Sequence, residues 1–461
     1  MKIDKSLKAT DLTKALERFW DHSARKIDLI RSEYNSSKGS PVFTEKGKYT
    51  TRGWTEWTQG FQFGSEILQF DAIGDRRFLE SGRKETVGVM APHITHNGVH
   101  DHGFNNVSTY GALLRLANEG RFEANKWEVE FYKLALKATG AVQAMRWTKT
   151  ADGGGFIYSF NGPHSLFVDT IRTTRALSMS HRLGHVLSSE HDEQISLLGR
   201  LVEHARSTAK YSVYYGEGRD FYDIWGRTTH EAVFNTNDGF FRCPNSQQGF
   251  SPFTTWTRGL SWAMCGFPEQ LEFLETLSDE DLVPFGGRAE IEAFMLKAAR
   301  ATCDFYIDNS SLDGIPFWDT GAPNLHKLGD YTKSIADPYN DFEPVDSSAA
   351  AIGAQGLLRL GRYLQQKGDT EAGNRYFQAG LTVARTLLDE PYLSTDDRHQ
   401  GLLLHSVYHR PNGWDYILPD KKIPCGESSM WGDYHVRELM LYIHRIATDA
   451  PYYTFFGPGE A

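Results

Sequence analysis

The sequence predicts an all-α fold, an α/α barrel in which six outer helices surround six inner ones. Apolar residues recur three and four positions apart in about a dozen separate segments, the signature of helices with one buried stripe. No linker or composition shift divides the 461 residues, so they read as a single domain over 1–461. A helix with an apolar stripe must bury it against a neighbour, and a dozen joined by short and long loops do so as two concentric rings. A solenoid of helix pairs would repeat every ~34 to 47 residues, and only one internal echo is present.

The segments follow in chain order. The first, 15–30, carries Leu16, Phe19, Trp20, Ile27 and Ile30 on one face. Segments 61–70 and 77–91 are less regular, and 110–116 and 131–141 repeat the pattern. Next come 171–186 and 195–205, then 262–274. Segments 291–305, 349–364, 376–388 and 436–446 complete the set. Irregular Gly- and Pro-bearing stretches at 152–163, 238–255 and 313–324 lie between helices. Gly60, Gly64, Gly259 and Gly266 stand near helix starts, where glycine costs stability, and predict close approach of crowded inner helices.

Composition narrows the function classes. Hydrophobic residues make up 40% and charged residues 23%, and no run reaches the roughly 20 apolar residues of a membrane span. The net charge of −10 comes without a basic block, which argues against a nucleic-acid partner. Cys243, Cys265, Cys303 and Cys425 lack metal or disulfide spacing and read as free thiols. Met1 to Leu7 carries charges where an export signal has its apolar centre, so the expected location is cytoplasmic, or periplasmic if a signal has been trimmed. Oligomeric state is not legible.

The echo pairs Trp57-Thr58-Gln59-Gly60-Phe61 with Trp256-Thr257-Arg258-Gly259-Leu260, each opening a helical segment. Between the copies stand His100-Asp101-His102-Gly103-Phe104 and Phe167-Val168-Asp169-Thr170. Aromatic helix starts around two acids point to a sugar-cleaving cavity. Together with His230, Gln248-Gly249, Trp262, Trp318-Asp319, Asp346-Ser347-Ser348-Ala349 and Trp431-Gly432-Asp433-Tyr434, these segments resemble glycoside hydrolase family 88, the unsaturated glucuronyl hydrolases, and the related family 105. The resemblance implies a six-hairpin α/α barrel with one catalytic domain. It further implies release of a 4,5-unsaturated uronic acid from the non-reducing end of lyase-generated oligosaccharides, by hydration of a vinyl ether. No metal or organic cofactor is implied. The chain departs from the family at Gln62, where a second Trp is usual, at Leu260, where Gln is common, and in a stretched interval around Gly153-Gly154-Gly155.

Asp101 and Asp169 are the catalytic candidates. Asp101 precedes a helix, where the dipole and free amides favour the ionised form, so it is expected to stay anionic and assist. Asp169 has Leu166, Phe167, Val168 and Ile171 around it, and apolar surroundings should raise its pKa to suit a proton donor and water activator. The competing reading of both is helix capping. By resemblance, His100, His230 and Gln248 contact substrate. Arg258 either meets the uronate carboxylate or forms an ion pair at a helix start, and the sequence does not choose. Trp57 and Trp262 offer faces for sugar stacking. Ser428, with Ser429 beside it, matches a carboxylate-binding position, and Tyr408 lines the pocket. Asp319, Asp346 and Asp433 read as helix caps.

Four other readings remain open. His93, His96, His100 and His102 are numerous enough to suggest a zinc enzyme. A sugar epimerase would use paired histidines, an exo-hydrolase of saturated uronides would use two spaced carboxyls, and a carbohydrate-binding barrel would use neither.

Overall fold

A computed structural model describes residues 1–53 and 56–457. Among them, twelve principal helices account for the barrel. The outer ones are α1 (Thr13–Glu33), α3 (Arg76–Val89), α5 (Lys126–Met145), α7 (Leu197–Tyr211), α9 (Arg288–Asn309) and α11 (Thr370–Leu387). The inner ones are α2 (Gln59–Ile73), α4 (102–118), α6 (170–182), α8 (Thr257–Leu274), α10 (Ser347–Gln366) and α12 (Met430–Ala447). Each inner helix packs on the next, and α12 packs back on α2, which closes the ring.

Burial separates the rings as the periodicity implies. Helices α8, α10 and α12 are buried on nearly every face, whereas α3 buries only Phe78, Leu79, Gly82 and Thr86. All twelve expected segments are helical, with corrected ends. Helix α6 stops at Arg182 instead of reaching 186, and α4 starts at His102, eight residues before the expected segment. The early start passes through a π-helical turn at Val107–Gly111, which breaks the 3.6-residue period that the sequence pattern relies on.

Glycine permits the tight inner ring. A Cβ on Gly103 would lie 2.1 Å from the Thr173 carbonyl oxygen of α6, and one on Gly60 would lie 2.4 Å from the Asn105 Cα of α4. The expected close approach is therefore observed for Gly60, Gly64 and Gly266, while Gly259 instead faces the ring of Trp256.

Short strands occupy some of the stretches read as irregular. The most consequential is an antiparallel sheet ordered Ser165–Phe167, Glu231–Phe234, Phe241–Asn245. Strands this short leave little alternation for a sequence to show. This sheet delivers two site residues, because Phe167 pairs with Glu231 and the Val168 N–H donates to the His230 carbonyl at 3.0 Å. Asp169 and His230 are thereby held side by side. Among the described residues, no helix is long and apolar enough to cross a membrane.

Candidate active site

Helices α2, α4, α6 and α8 all begin at one end of the ring, around a cavity of about 610 Å³. Their positive dipole ends face it, a field that favours an anionic ligand. The echo has a spatial meaning here. Helices α2 and α8 are three places apart in a ring of six, so Trp57 and Trp256 line the cavity from opposite sides. Trp57 stacks on Trp431 at 5.1 Å, and Trp256 meets the His230 ring at 4.7 Å. Trp262 also lines the cavity but is only 1% exposed, wedged between Phe104 and His435, and forms part of its floor.

Asp101 and Asp169 stand at the N-cap positions of their helices, yet neither side chain caps. Both turn towards His100, whose Nε2 lies 3.8 Å from Asp101 Oδ1 and 3.6 Å from Asp169 Oδ1. Among the described residues, the two His100 nitrogens and Asp169 Oδ1 are buried without a hydrogen-bond partner. Buried polar groups are ordinarily satisfied, and these unpartnered ones line the cavity, where a ligand can reach them. Phe160 stacks over His100 at 6.2 Å, and Phe167 meets it edge-on at 5.7 Å.

The two acids differ in the opposite sense from that expected of the sequence. Burial works against the charge of Asp169, but the imidazoles of His100 and His230 outweigh it and hold the carboxyl below its ordinary value. Burial raises Asp101 against the pull of His100, with the charge of Asp169 adding to the rise. Burial opposes the charged form of His100, yet Asp101 and Asp169 together raise its pKa. The apolar chain neighbours of Asp169 misled the sequence reading, because its carboxyl faces two imidazoles from other segments. The three groups thus act on one another's charge within a single buried site.

His230 is pushed down to about 4 by burial and is neutral near pH 7. Its Nδ1 accepts from the Gln247 and Gln248 backbone N–H groups at 2.9 and 3.2 Å, which places the ring proton on Nε2. Arg258 resolves towards the ion pair. It lies 3.1 Å from Asp346 Oδ2, and its Nη atoms also donate to the Val407 carbonyl, to Gln248 Oε1 at 3.0 Å and to the Tyr408 carbonyl at 2.8 Å. It braces the wall carrying Gln248 and Tyr408, both of which line the cavity.

Ser428 requires correction. It is fully buried, its hydroxyl donates to Asp433 Oδ1 at 2.7 Å, and it is absent from the cavity lining, as is Ser429, the N-cap of α12. Asp433 is not a cap either, since it accepts from the Leu402 and Leu403 N–H groups and the Tyr49 hydroxyl. Asp319 starts no helix and instead accepts from the Phe250 and Gly321 N–H groups, with burial raising its pKa to about 6. Asp346 does cap, accepting from the Ser348 and Ala349 N–H groups.

The histidines considered for zinc diverge. His93 pairs with Gln59, and His102 pairs with Thr139 and the His96 carbonyl. Among the described residues, no three His, Cys, Asp or Glu side chains converge as a metal site. The sequence reading missed Arg52, Glu56, Phe160, His409 and Trp414, which also line the cavity. It also missed Trp256, although the echo with Trp57 points to it.

No family model matches the chain. Curated relatives do. The unsaturated glucuronyl hydrolase of Formosa agariphila is 23% identical over 388 residues, covering 84% of this chain and 79% of the relative. That of Bacillus sp. strain GL1 is 24% identical over 408 residues, covering 87% and 89%. The chain is a distant relative of the unsaturated glucuronyl hydrolases. The crystal structure of the Bacillus sp. GL1 unsaturated glucuronyl hydrolase, described as responsible for glycosaminoglycan degradation, superposes with a TM-score of 0.70. It is 20% identical, over 94% of this chain and 97% of that one. The α/α barrel and the resemblance to family 88 are both borne out.

Proposed function

We propose that this chain is an unsaturated glucuronyl hydrolase, a glycosidase that removes a 4,5-unsaturated uronic acid from the non-reducing end of an oligosaccharide by hydrating its vinyl ether. The observation that carries this reading is the Asp101–His100–Asp169 cluster, unsatisfied within the protein, at the end of an aromatic cavity. A displacement at the anomeric carbon would divide its work between two carboxyls. Vinyl-ether hydration needs one carboxyl acting twice and a neighbouring group that keeps its proton available.

Asp169 is assigned that double role. His100, held between two carboxyls, stores the proton and relays it to Asp169 when the uronate, an additional negative charge, enters and raises the affinity of Asp169 for a proton. Asp169 protonates C4, and the positive charge that develops at C5 is met by a water. Asp169 takes a proton from that water as its oxygen bonds to C5. The resulting hemiketal opens and releases the aglycone. Asp101 steadies His100, and His230 presents Nε2–H to the substrate or the incoming water.

The test follows the ultraviolet absorbance of the conjugated C4=C5 bond in lyase-produced disaccharides during incubation with the purified chain. Decay of the signal with release of the second sugar is the expected result. A stable signal alongside cleavage of a saturated uronide would overturn the reading.

A further inference from the structure

Apart from His100 between its two carboxyls, the basic side chains of Arg258, His230 and His409 inside the cavity are already committed or held neutral. Arg258 is bound to Asp346 and to three neutral oxygens, and His230 and His409 are both pushed down to about 4, chiefly by burial. Arg52 is different. It is exposed at the mouth, and among the described residues it makes no ion pair. Its guanidinium stands 5.6 Å from the centre of the Tyr408 ring. The indole of Trp414 packs on the same ring at 5.2 Å and on His409 at 4.9 Å.

Trp414 is 44% exposed, yet its loop is fixed. The carboxylate of Asp415, itself only 8% exposed, accepts from the Tyr408 and His409 backbone N–H groups at 2.5 and 3.1 Å, and the Trp414 N–H donates to the His409 carbonyl. A rigidly presented indole half in water is poor use of an apolar surface unless something stacks on it. Asp101 and Asp169 are 8% and 7% exposed and lie deeper. The terminal uronate therefore fills the depth of the cavity, and the sugar about to leave sits at the rim.

Resting on the function proposed above, we infer that Trp414 and Arg52 form the subsite for the leaving sugar, and that Arg52 selects leaving sugars bearing a negative group. The indole takes an apolar sugar face, and the guanidinium fork takes a sulfate ester or a second carboxylate.

The experiment uses the full chain and three unsaturated disaccharides whose leaving sugar is neutral, sulfated or a uronate, with C4=C5 absorbance as the readout. Charge-assisted hydrogen bonds of this kind predict a kcat/KM about 10- to 100-fold higher for a charged leaving sugar. The sulfated and uronate arms identify which anion fits. Arg52→Ala brings the charged-to-neutral ratio close to one through KM, Arg52→Lys retains part of it, and added salt erodes it in the unmodified chain. Trp414→Ala raises KM for all three substrates about 3- to 10-fold with a much smaller change in kcat, and Trp414→Phe recovers most of the loss. A preference for the neutral sugar, or a ratio unchanged in Arg52→Ala, overturns the subsite. If the unmodified chain consumes none of the three, the hydrolase reading itself falls, and the subsite with it.

Discussion

Among the described residues, the ion pairs deep between the inner helices and the cluster at the helix starts are both buried, and they are finished differently. Deep between the inner helices, Arg172 pairs with Glu269 and, at 3.0 Å, with Glu438. Arg175 reaches Glu438 at 3.4 Å, and Arg359 reaches Glu272 at 2.5 Å. Each of these cations has a carboxylate in contact. At the helix starts, His100 stands 3.6 and 3.8 Å from two carboxylates, beyond hydrogen-bond length from either. Closed pairing locks the inner helices together, whereas open pairing leaves a proton and two acids available to a ligand. Burial is common to both regions, so burial alone does not mark a catalytic site. What marks it is unpaired polar atoms that face a cavity: Arg172 Nε, Glu269 Oε1 and Arg359 Nε also lack partners, but of the two clusters only His100, Asp101 and Asp169 line the cavity.

The largest effect is expected at Asp169. Asp169→Asn is expected to lower kcat by about 10²- to 10⁴-fold, the range of general acid–base catalysis, with little change in urea midpoint. Unchanged turnover would remove Asp169 from the chemistry.

Glu438→Gln should do the reverse, costing about 3–5 kcal/mol of stability because Arg172 and Arg175 lose a buried partner. Urea unfolding measures it. Burial alone would raise the pKa of Glu438, but Arg172 and Arg175 hold it far below the ordinary value. Its stabilisation is complete above the unfolded-state value of about 4.3 and is lost as the pH falls towards the depressed folded value.

A pH profile sharpens the contrast at smaller scale. If His100 stores the proton, kcat/KM falls as the pH rises through a value above that of an ordinary histidine, because burial of His100 is outweighed by Asp101 and Asp169. Asp101→Asn removes one of those charges, weakens the imidazolium and should move that limb to lower pH in the residual activity. An unmoved limb would assign it to another group.

The smallest effect is expected at Ser428→Ala. The loss of its hydrogen bond to Asp433 costs about 1 kcal/mol of stability, with kinetic parameters unchanged within error. A large rise in KM would return Ser428 to the binding site.

Much of the architecture is legible from local pattern, because helix periodicity is written within one turn of chain. Leu16, Phe19, Trp20, Ile27 and Ile30 declare α1 without reference to anything distant. Gly60, Gly64 and Gly266 mark crowded inner helices, and the Trp57/Trp256 echo marks two helix starts whose placement across the ring follows from the order of the six. The two acids were also legible as a pair, through the motifs around them.

Their electrostatics were not. A pKa depends on what approaches the carboxyl through space, and His100 and His230 reach Asp169 from separate segments 69 and 61 residues away along the chain. The same reason separates Ser428 from Trp414. Ser428 sits in a matching motif but points into the protein at Asp433, whereas Trp414 belongs to no motif and is placed at the cavity mouth by the Asp415 clamp. The helices, the crowding at Gly60, Gly64 and Gly266 and the chemical types available to the site were written in the sequence. Which side chains meet, which remain unpaired and which acid holds its proton were decided by the tertiary structure, since only ring closure brings the starts of α2, α4, α6 and α8 around one cavity.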